Sequence, residues 1–517
     1  MKETENSLPD KPEAADATRN GLRNSAARIE SLLSHVNGRV RDGRMLLHLA
    51  LLSVILFVVP ICFIDLCGGD ETRVAGISAE MAVENDWLTP RLNGAPFLEY
   101  PPLFYAAAAA SYRIFGITAF AAKLPTALAA LAGVLMLYAM MRILRRSKCE
   151  SFAGAFMLAT GLHYLTNAFD CRVDTMLAAF CILIWTGFAL MEFSSGGARR
   201  RAAGMMLLAA GIAGGVLTKN LTGLAITLPG LACTLVFWDL AKRRFSFAAY
   251  CRLAGAVLLG MLPYALYLWL LYKKNGIGAV ETMFLYNNFG RFSGSVTDHS
   301  SPWWSYLVRI HEYFPPYLPL LIWGIVLQIR EIRKHRSRYG IMLLTLLAIP
   351  FAVLSAASNK RQVYLLPLSA PAAMLAASTL PYIIHFCRKI FGWKGRLLLR
   401  RRGGLVIYAA AVLFAAITGA IIRNYSMRKS FAPPFAEAEA RRREIPGGRL
   451  VLVRPAERHS GASFFYTRKV VPQLSSWDEL QPNDVAVAPA AQLKPLPKEY
   501  SIRRFKGAKM VVVRREK

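Results

Sequence analysis

The chain has 517 residues, 55% of them hydrophobic and 18% charged, and its 63 Lys plus Arg against 32 Asp plus Glu leave a net charge of +31. A charged fraction below the roughly one quarter of soluble domains, with apolar residues in long blocks, excludes disorder, collagen and a small disulfide scaffold. A soluble nucleic-acid binder accounts for the charge but not the blocks; an integral membrane protein accounts for both, because its inner loops collect Lys and Arg, so no nucleic-acid partner is expected.

Residues 1–44 form a polar, Arg-rich tail ahead of an apolar run that starts near Met45. That is too far in for an ordinary signal peptide, so the run is read as an uncleaved first span behind a cytoplasmic tail. Within the tail, residues 20–40 suit a membrane-surface amphipathic helix or a solvated segment equally. Eleven stretches then approach the roughly 17–25 apolar residues a span needs, at about 46–66, 119–141, 151–168, 174–193, 203–218, 221–238, 250–272, 316–330, 340–357, 363–385 and 404–422. With the N-terminal tail inside, five inner loops carry 22 Lys and Arg and the short outer connections only four, Arg172, Lys219, Lys360 and Arg361. This alternation orients the chain in its membrane, with two long outer segments, 67–118 and 273–315, and an extracytoplasmic C-terminal end.

In the first outer segment, Val74, Ile77 and Met81 recur at helical spacing, which predicts a helix lying in the interface. Leu103 to Phe115 is apolar but too short to span, so a second interfacial or re-entrant helix is expected. Of eight Cys none forms a Cys-x-x-Cys pair; Cys67 and Cys171 both fall on the outer side, where a bond between them is open. Past 423 the character changes: Leu450 to Val453, Val485 to Ala488 and Met510 to Val513 are short strand-like runs among Pro, Gly and charge clusters, the pattern of a small α/β domain over 423–517.

Charges near lipid persist where they pair or line a cavity, and the outer side concentrates carboxylates: Asp70, Glu71, Glu99, Asp170, Asp174 and Asp298. Asp70 heads the expected interfacial helix, a place that suits a helix cap as well as a catalytic base. Glu99-Tyr100-Pro101-Pro102 is a stiff extended element or a plain turn, since each Pro disfavours helix in the residue before it. Asp170 and Asp174 would share a helix face, with Arg172 between them as a local ion partner. Lys219, and Lys360 with Arg361, sit in tight outer turns where a cation either snorkels or binds a phosphate. His299 precedes Pro302-Trp303-Trp304; its imidazole suits zinc or a structural hydrogen bond, and the tandem Trp suits an interface belt. There is no Walker loop or dinucleotide fingerprint.

Asp70-Glu71-Thr72-Arg73, then Asp86-Trp87, Pro90-Arg91-Leu92-Asn93-Gly94 and Glu99-Tyr100-Pro101-Pro102-Leu103, resemble the first outer loop of lipid A aminoarabinose transferases, which are related to protein O-mannosyltransferases. Asp174 opening a span, Leu217-Thr218-Lys219, His299 before Pro302-Trp303-Trp304, and Lys360 before Tyr364-Leu365-Leu366-Pro367 extend the likeness over residues 46–370. The resemblance implies a GT-C glycosyltransferase fold over 45–422, a monomer among the lipids of a cell inner membrane, and inverting transfer of a sugar from a polyprenyl-phosphate donor to lipid A or another envelope acceptor. It also implies Asp70 and Asp174 as the catalytic acids, and Glu71, Arg73, Tyr100, Lys219, Lys360 and Tyr364 around the substrates. Glu99 and His299 match positions that hold zinc in some aminoarabinose transferases. One departure stands out: the family usually has Glu-Lys-Pro-Pro, and here Tyr100 replaces the Lys, supplying a hydrogen bond but no charge. A protein O-mannosyltransferase-like enzyme is the alternative within the class. A lipid-linked sugar transporter is the alternative outside it, although transporters place charges near the midplane.

Overall fold

A computed structural model describes residues 42–386 and 404–515, apart from 68, 195, 291–300, 359 and 494–499. Asp298, His299, the tail segment 20–40, Cys387 and the basic residues between 388 and 402 lie outside the described residues. Nine helices among those described are long and apolar enough to cross a membrane: Asp42–Ile61, Ala119–Ile143, Val173–Phe193, Ala198–Lys219, Thr222–Lys242, Phe247–Asn275, Arg338–Ala356, Gln362–Phe386 and Tyr408–Arg443. The other two expected spans are present in altered form. One is split at Gly161 into Lys148–Thr160 and Leu162–Asn167. The other, Leu318–His335, carries Arg333, Lys334 and His335 in its last turn.

The protein is therefore a polytopic helical membrane protein. Its inward faces share one core in which Trp185, Tyr138, Tyr164 and Phe188 are almost fully buried. Its outward faces read differently. On Phe247–Asn275, Leu258, Leu262 and Leu266 fall four residues apart and are all more than half exposed, as a stripe meeting lipid must be.

Charge divides the bundle into two ends. At one end the basic loops meet: Arg338 lies over the rings of Trp238 (4.1 Å) and Phe193 (5.1 Å), and Arg146 over that of Tyr339 (4.6 Å). Arg252 grips Glu192 with 2.6–2.9 Å bonds, and Asp42 accepts from Tyr138 (2.6 Å) and Arg142 (2.9 Å). The two outer segments and the C-terminal domain gather at the opposite end.

In the first outer segment the helix Asp70–Glu84 forms as its periodicity predicts, and protein covers most of it on every side. Every residue from Glu71 to Met81 is buried, because the helix Leu103–Phe115 covers one side and the helix Glu457–Thr467 of the C-terminal domain covers another. The second contact is backbone on backbone. A Cβ on Gly461 would sit 2.5 Å from the Arg73 Cα, and one on Gly76 would collide with the Gly461 carbonyl. Sequence periodicity reported the apolar face of this helix but not the domain that covers the rest of it.

That domain is a five-stranded sheet in the order β2-β1-β3-β5-β4, with β1 (Arg449–Val453), β2 (Gln473–Leu474), β3 (Asp484–Pro489), β4 (Tyr500–Phe505) and β5 (Met510–Arg515). The pairs β1–β2 and β1–β3 are parallel, while β3–β5 and β4–β5 are antiparallel. The three expected runs are its three central strands. They read as continuous apolar runs because both faces are covered. Leu452, Val487 and Val512 face Phe431 and Phe435, whereas Val451, Ala486 and Val513 face Trp477.

Candidate functional site

The N-terminus of Asp70–Glu84, the Glu99–Tyr100 strap, the start of Val173–Phe193, the end of Ala198–Lys219 and the start of Gln362–Phe386 converge on one small hollow with about 20 Å³ of water-accessible space. Its wall includes Asp70, Arg73, Tyr100, Asp174, Lys219 and Tyr364, six of the residues expected from sequence, together with Arg172 and Arg361.

Asp70 is the first residue of its helix, entered through Gly69 at φ 114°, a backbone state that an L side chain rarely takes. The helix dipole favours a carboxylate there. Arg361 Nη1 lies 3.0 Å from Asp70 Oδ2 and Arg73 Nη2 lies 3.4 Å from Oδ1. Burial alone would raise the Asp70 carboxyl, but the charges of Arg73, Arg172, Arg361 and Lys219 outweigh it and hold the group below the usual carboxylate range. Asp70 is thus an anion at neutral pH, one third exposed and facing open space.

Asp174 sits in the first turn of its helix, ion-paired with Lys219. The Lys219 ammonium also lies 4.6 Å from the Tyr364 ring centroid and 5.4 Å from that of Tyr100, so two aromatic faces share its charge. Hydrogen bonds fix this arrangement. Asn220 Nδ2 donates to the Glu99 carbonyl (3.1 Å) while its Oδ1 accepts from Tyr264 (3.0 Å). Asn287 Nδ2 donates to the Leu98 carbonyl (2.8 Å) from the second outer segment. The Lys219 turn and the Tyr100 strap are therefore tied together. One sequence feature is corrected and one is extended. Asp170 precedes the helix that begins at Val173, so it shares no helical face with Asp174. Arg172, besides lying 3.3 Å from Asp170, lines the hollow.

Three expected residues stand elsewhere. Glu71 turns away from the hollow into protein. Lys123 Nζ (2.5 Å) and the Cys171 N–H (2.7 Å) donate to its Oε1, and the Cys67 N–H (2.7 Å) donates to Oε2. With both side chains 2% exposed or less, this is a structural pair, and removing one partner costs about 3–5 kcal/mol. Cys67 and Cys171 themselves are free thiols. Lys360 also turns away, donating to the carbonyls of Ser301 (2.9 Å) and Ala357; its neighbour Arg361 reaches Asp70 instead. Glu99 lies behind the hollow wall, buried, with Oε2 2.9 Å from Arg73 Nη1. Its carboxylate is thus engaged by a cation of the chain itself, and no group of three or more His, Cys, Asp or Glu among the described residues is arranged to hold a metal.

One more group reaches Arg73, and nothing in the sequence pointed to it. Glu457, the first residue of Glu457–Thr467 in the C-terminal domain, places Oε2 2.6 Å from Arg73 Nη1. The same domain docks through Thr72 Oγ1 to the Arg458 carbonyl (2.9 Å), through paired bonds between Asn93 and the Val471 backbone (2.7 and 2.9 Å), and through Arg468 to the Ile117 carbonyl (2.6 Å).

The family described as dolichyl-phosphate-mannose-protein mannosyltransferase matches residues 44–273. The undecaprenyl phosphate-alpha-4-amino-4-deoxy-L-arabinose arabinosyl transferase of Pseudomonas savastanoi pv. phaseolicola is 28% identical over 351 residues, 67% of this chain and 62% of that protein. The second such transferase of Proteus mirabilis is 27% identical over 386 residues, 74% of this chain and 66% of that protein. The chain thus covers just under two thirds of the length of these relatives. Among solved structures, ArnT from Cupriavidus metallidurans bound to undecaprenyl phosphate superposes with a TM-score of 0.72 at 20% identity, covering 92% of this chain and 98% of that one. The oligosaccharyltransferase of Archaeoglobus fulgidus, tethered with an acceptor peptide, gives 0.52 at 13% identity, over 83% and 64%. The shared architecture bears out the expected GT-C fold with its small C-terminal sheet domain.

Proposed function

We propose that this chain, aminoarabinose-transferase-like in sequence and GT-C in fold, is a membrane glycosyltransferase that moves a sugar from a polyprenyl phosphate to lipid A or another envelope glycolipid. The observation that carries the reading is the convergence of Asp70, Asp174, Arg73, Lys219, Arg361, Tyr100 and Tyr364 on one hollow at the end of the bundle opposite its basic loops. By the distribution of Lys and Arg, that end faces the outside. The Cupriavidus ArnT structure holds undecaprenyl phosphate, and we carry that class of lipid to this chain as the sugar carrier.

The reaction is a single displacement. An acceptor oxygen attacks the sugar C1 from the face opposite the leaving group, the bond from C1 to the phosphate oxygen breaks, and polyprenyl phosphate departs with the electron pair. Configuration at C1 inverts. Asp70, anionic and fixed by Arg73 and Arg361, orients the acceptor; from a hydroxyl acceptor it takes the proton, whereas a phosphate acceptor arrives already ionised. Lys219 and Arg361 stabilise the charge that grows on the departing phosphate, and Tyr100 and Tyr364 offer hydroxyl donors and ring faces beside it. Tyr100 stands where the related transferases usually carry Lys, so this site binds the donor phosphate with one positive charge fewer. A Tyr100→Lys variant is expected to bind the donor more tightly, and unchanged donor affinity would count against that placement.

Zinc at Glu99 and His299 is a separable part of the reading and no step above uses it; metal analysis of purified, active protein decides it. The function itself is tested by mass spectrometry of lipid A and other envelope glycolipids from cells with and without the gene. Loss of a species heavier by one sugar is the expected result, and identical glycolipid profiles would refute the assignment.

A further inference from the structure

The Arg73 guanidinium is nine-tenths buried, yet it serves three carboxylates from three separate stretches of chain: Asp70 from its own helix, Glu99 from the strap, and Glu457 from the C-terminal domain. Its Nη1 faces both Glu99 (2.9 Å) and Glu457 (2.6 Å), while only Nη2 faces Asp70, at the longer 3.4 Å. Glu457 thus competes for the cation that fixes Asp70. Geometry leaves it little freedom, because Gly461, one helical turn on, packs directly against the Arg73 backbone, and Thr72 bonds the Arg458 carbonyl. A domain that merely covered the outer face would need neither contact.

We infer that Glu457 is a positioning residue of the transfer site: the C-terminal domain, through this carboxylate, holds Arg73 so that its guanidinium steadies Asp70 without closing on it. The domain is then a working part of the catalytic centre, although 384 positions of chain separate Glu457 from Arg73. Without Glu457, the freed Nη1 turns to its remaining acidic neighbours. Those facing Arg73 are Asp70 and Glu99, with the hydroxyls of Tyr100 and Tyr105 nearby; those facing Asp70 are Arg73, Arg172, Arg361 and Lys219. Asp70 is then pulled into a tighter ion pair and away from the acceptor.

The inference rests on the transferase reading, and the test separates the two. Purified full-length wild type, Glu457→Gln, Arg73→Lys and the double variant are assayed for sugar transfer from a polyprenyl-phosphate sugar. Glu457 is more than half exposed, so the amide variant is expected to fold, with thermal unfolding as the check. Glu457→Gln is expected to lower kcat about tenfold and leave the donor KM within about twofold, the signature of a contact that orients rather than binds. In the Arg73→Lys background the same change is expected to cost less than about twofold, because the two residues act through one contact. Wild-type kcat in Glu457→Gln, or an equal loss in both backgrounds, overturns the inference alone. A misfolded Glu457→Gln overturns it too, since a merely structural role then suffices, unless Glu457→Asp folds and shows the same non-additivity with Arg73→Lys. Failure of the wild type to use any lipid-phosphate sugar overturns the transferase reading, and this inference with it.

Discussion

Both ends of the helix bundle are rich in charge, and the way charge is satisfied at each separates scaffold from site. At the basic end, ions are settled locally: Arg252 with Glu192, Arg142 with Asp42, and Arg146 with Glu150, beside Arg338 on two aromatic rings. At the other end Arg73, Arg172, Lys219 and Arg361 crowd around Asp70 and Asp174 at the wall of an open hollow, with Glu99, Glu457 and Asp170 engaging Arg73 and Arg172 as well. A bundle that only needed to satisfy its charges would resemble the basic end at both ends. Cations facing a cavity are what a phosphate leaving group needs. Composition alone marks neither end as functional; convergence around a cavity does.

The sharpest way to break this comparison is Asp70→Asn. It keeps the shape and the helix start but removes the anion, and transfer is expected to fall about a thousandfold while the protein stays folded and inserted, as size-exclusion profiles would show. Lys219→Met comes next. It removes the cation beside Asp174 and both tyrosines, and kcat is expected to drop roughly a hundredfold, with lower thermal stability because Asp174 loses its partner. Arg361→Gln should lower kcat/KM about tenfold and carries a pH signature. Asp70 is held below the ordinary carboxylate range partly by Arg361, so removing that charge raises it, and the acid side of the pH–rate curve should move to higher pH. The same linkage governs stability. The contribution of Asp70 is full above the ordinary carboxylate range and is lost as pH falls through its lowered value, so Arg361→Gln should begin to lose stability at a higher pH.

At the basic end, Arg252→Gln should leave transfer within about twofold of wild type while lowering stability by about 2 kcal/mol, since Glu192 loses a charged, bidentate partner. A large loss of transfer there, with the fold intact, would erase the distinction between the two ends.

Much of this was legible in the chain. The spans follow from apolar run length, the two ends from the placement of Lys and Arg, and the central strands from continuous β-branched runs. The acidic residues of the hollow, Asp70 and Asp174, stand out because carboxylates at a lipid boundary need a reason to be there. What was not legible is direction. Lys360 and Arg361 are equivalent cations in one turn, and only the backbone decides that Lys360 caps carbonyls while Arg361 meets Asp70. Asp70 and Glu71 are adjacent, yet a helix start points one at the cavity and the other at Lys123. A signal for that pair did exist: Lys123 is a lone cation near the start of an otherwise apolar span, and such a residue implies a buried partner. Glu457 offered none, since its role arises from a contact across 384 positions.

The central claim is that the hollow around Asp70 takes a sugar from a lipid phosphate. Purified protein in lipid vesicles, supplied with a polyprenyl-phosphate sugar and a lipid A acceptor, tests it directly when both lipids are followed by mass spectrometry. Free polyprenyl phosphate and glycosylated acceptor are expected in equal amounts, with inverted configuration at the transferred carbon, and Asp70→Asn is expected to produce neither. Equal turnover by wild type and Asp70→Asn, or a product with retained configuration, would contradict it.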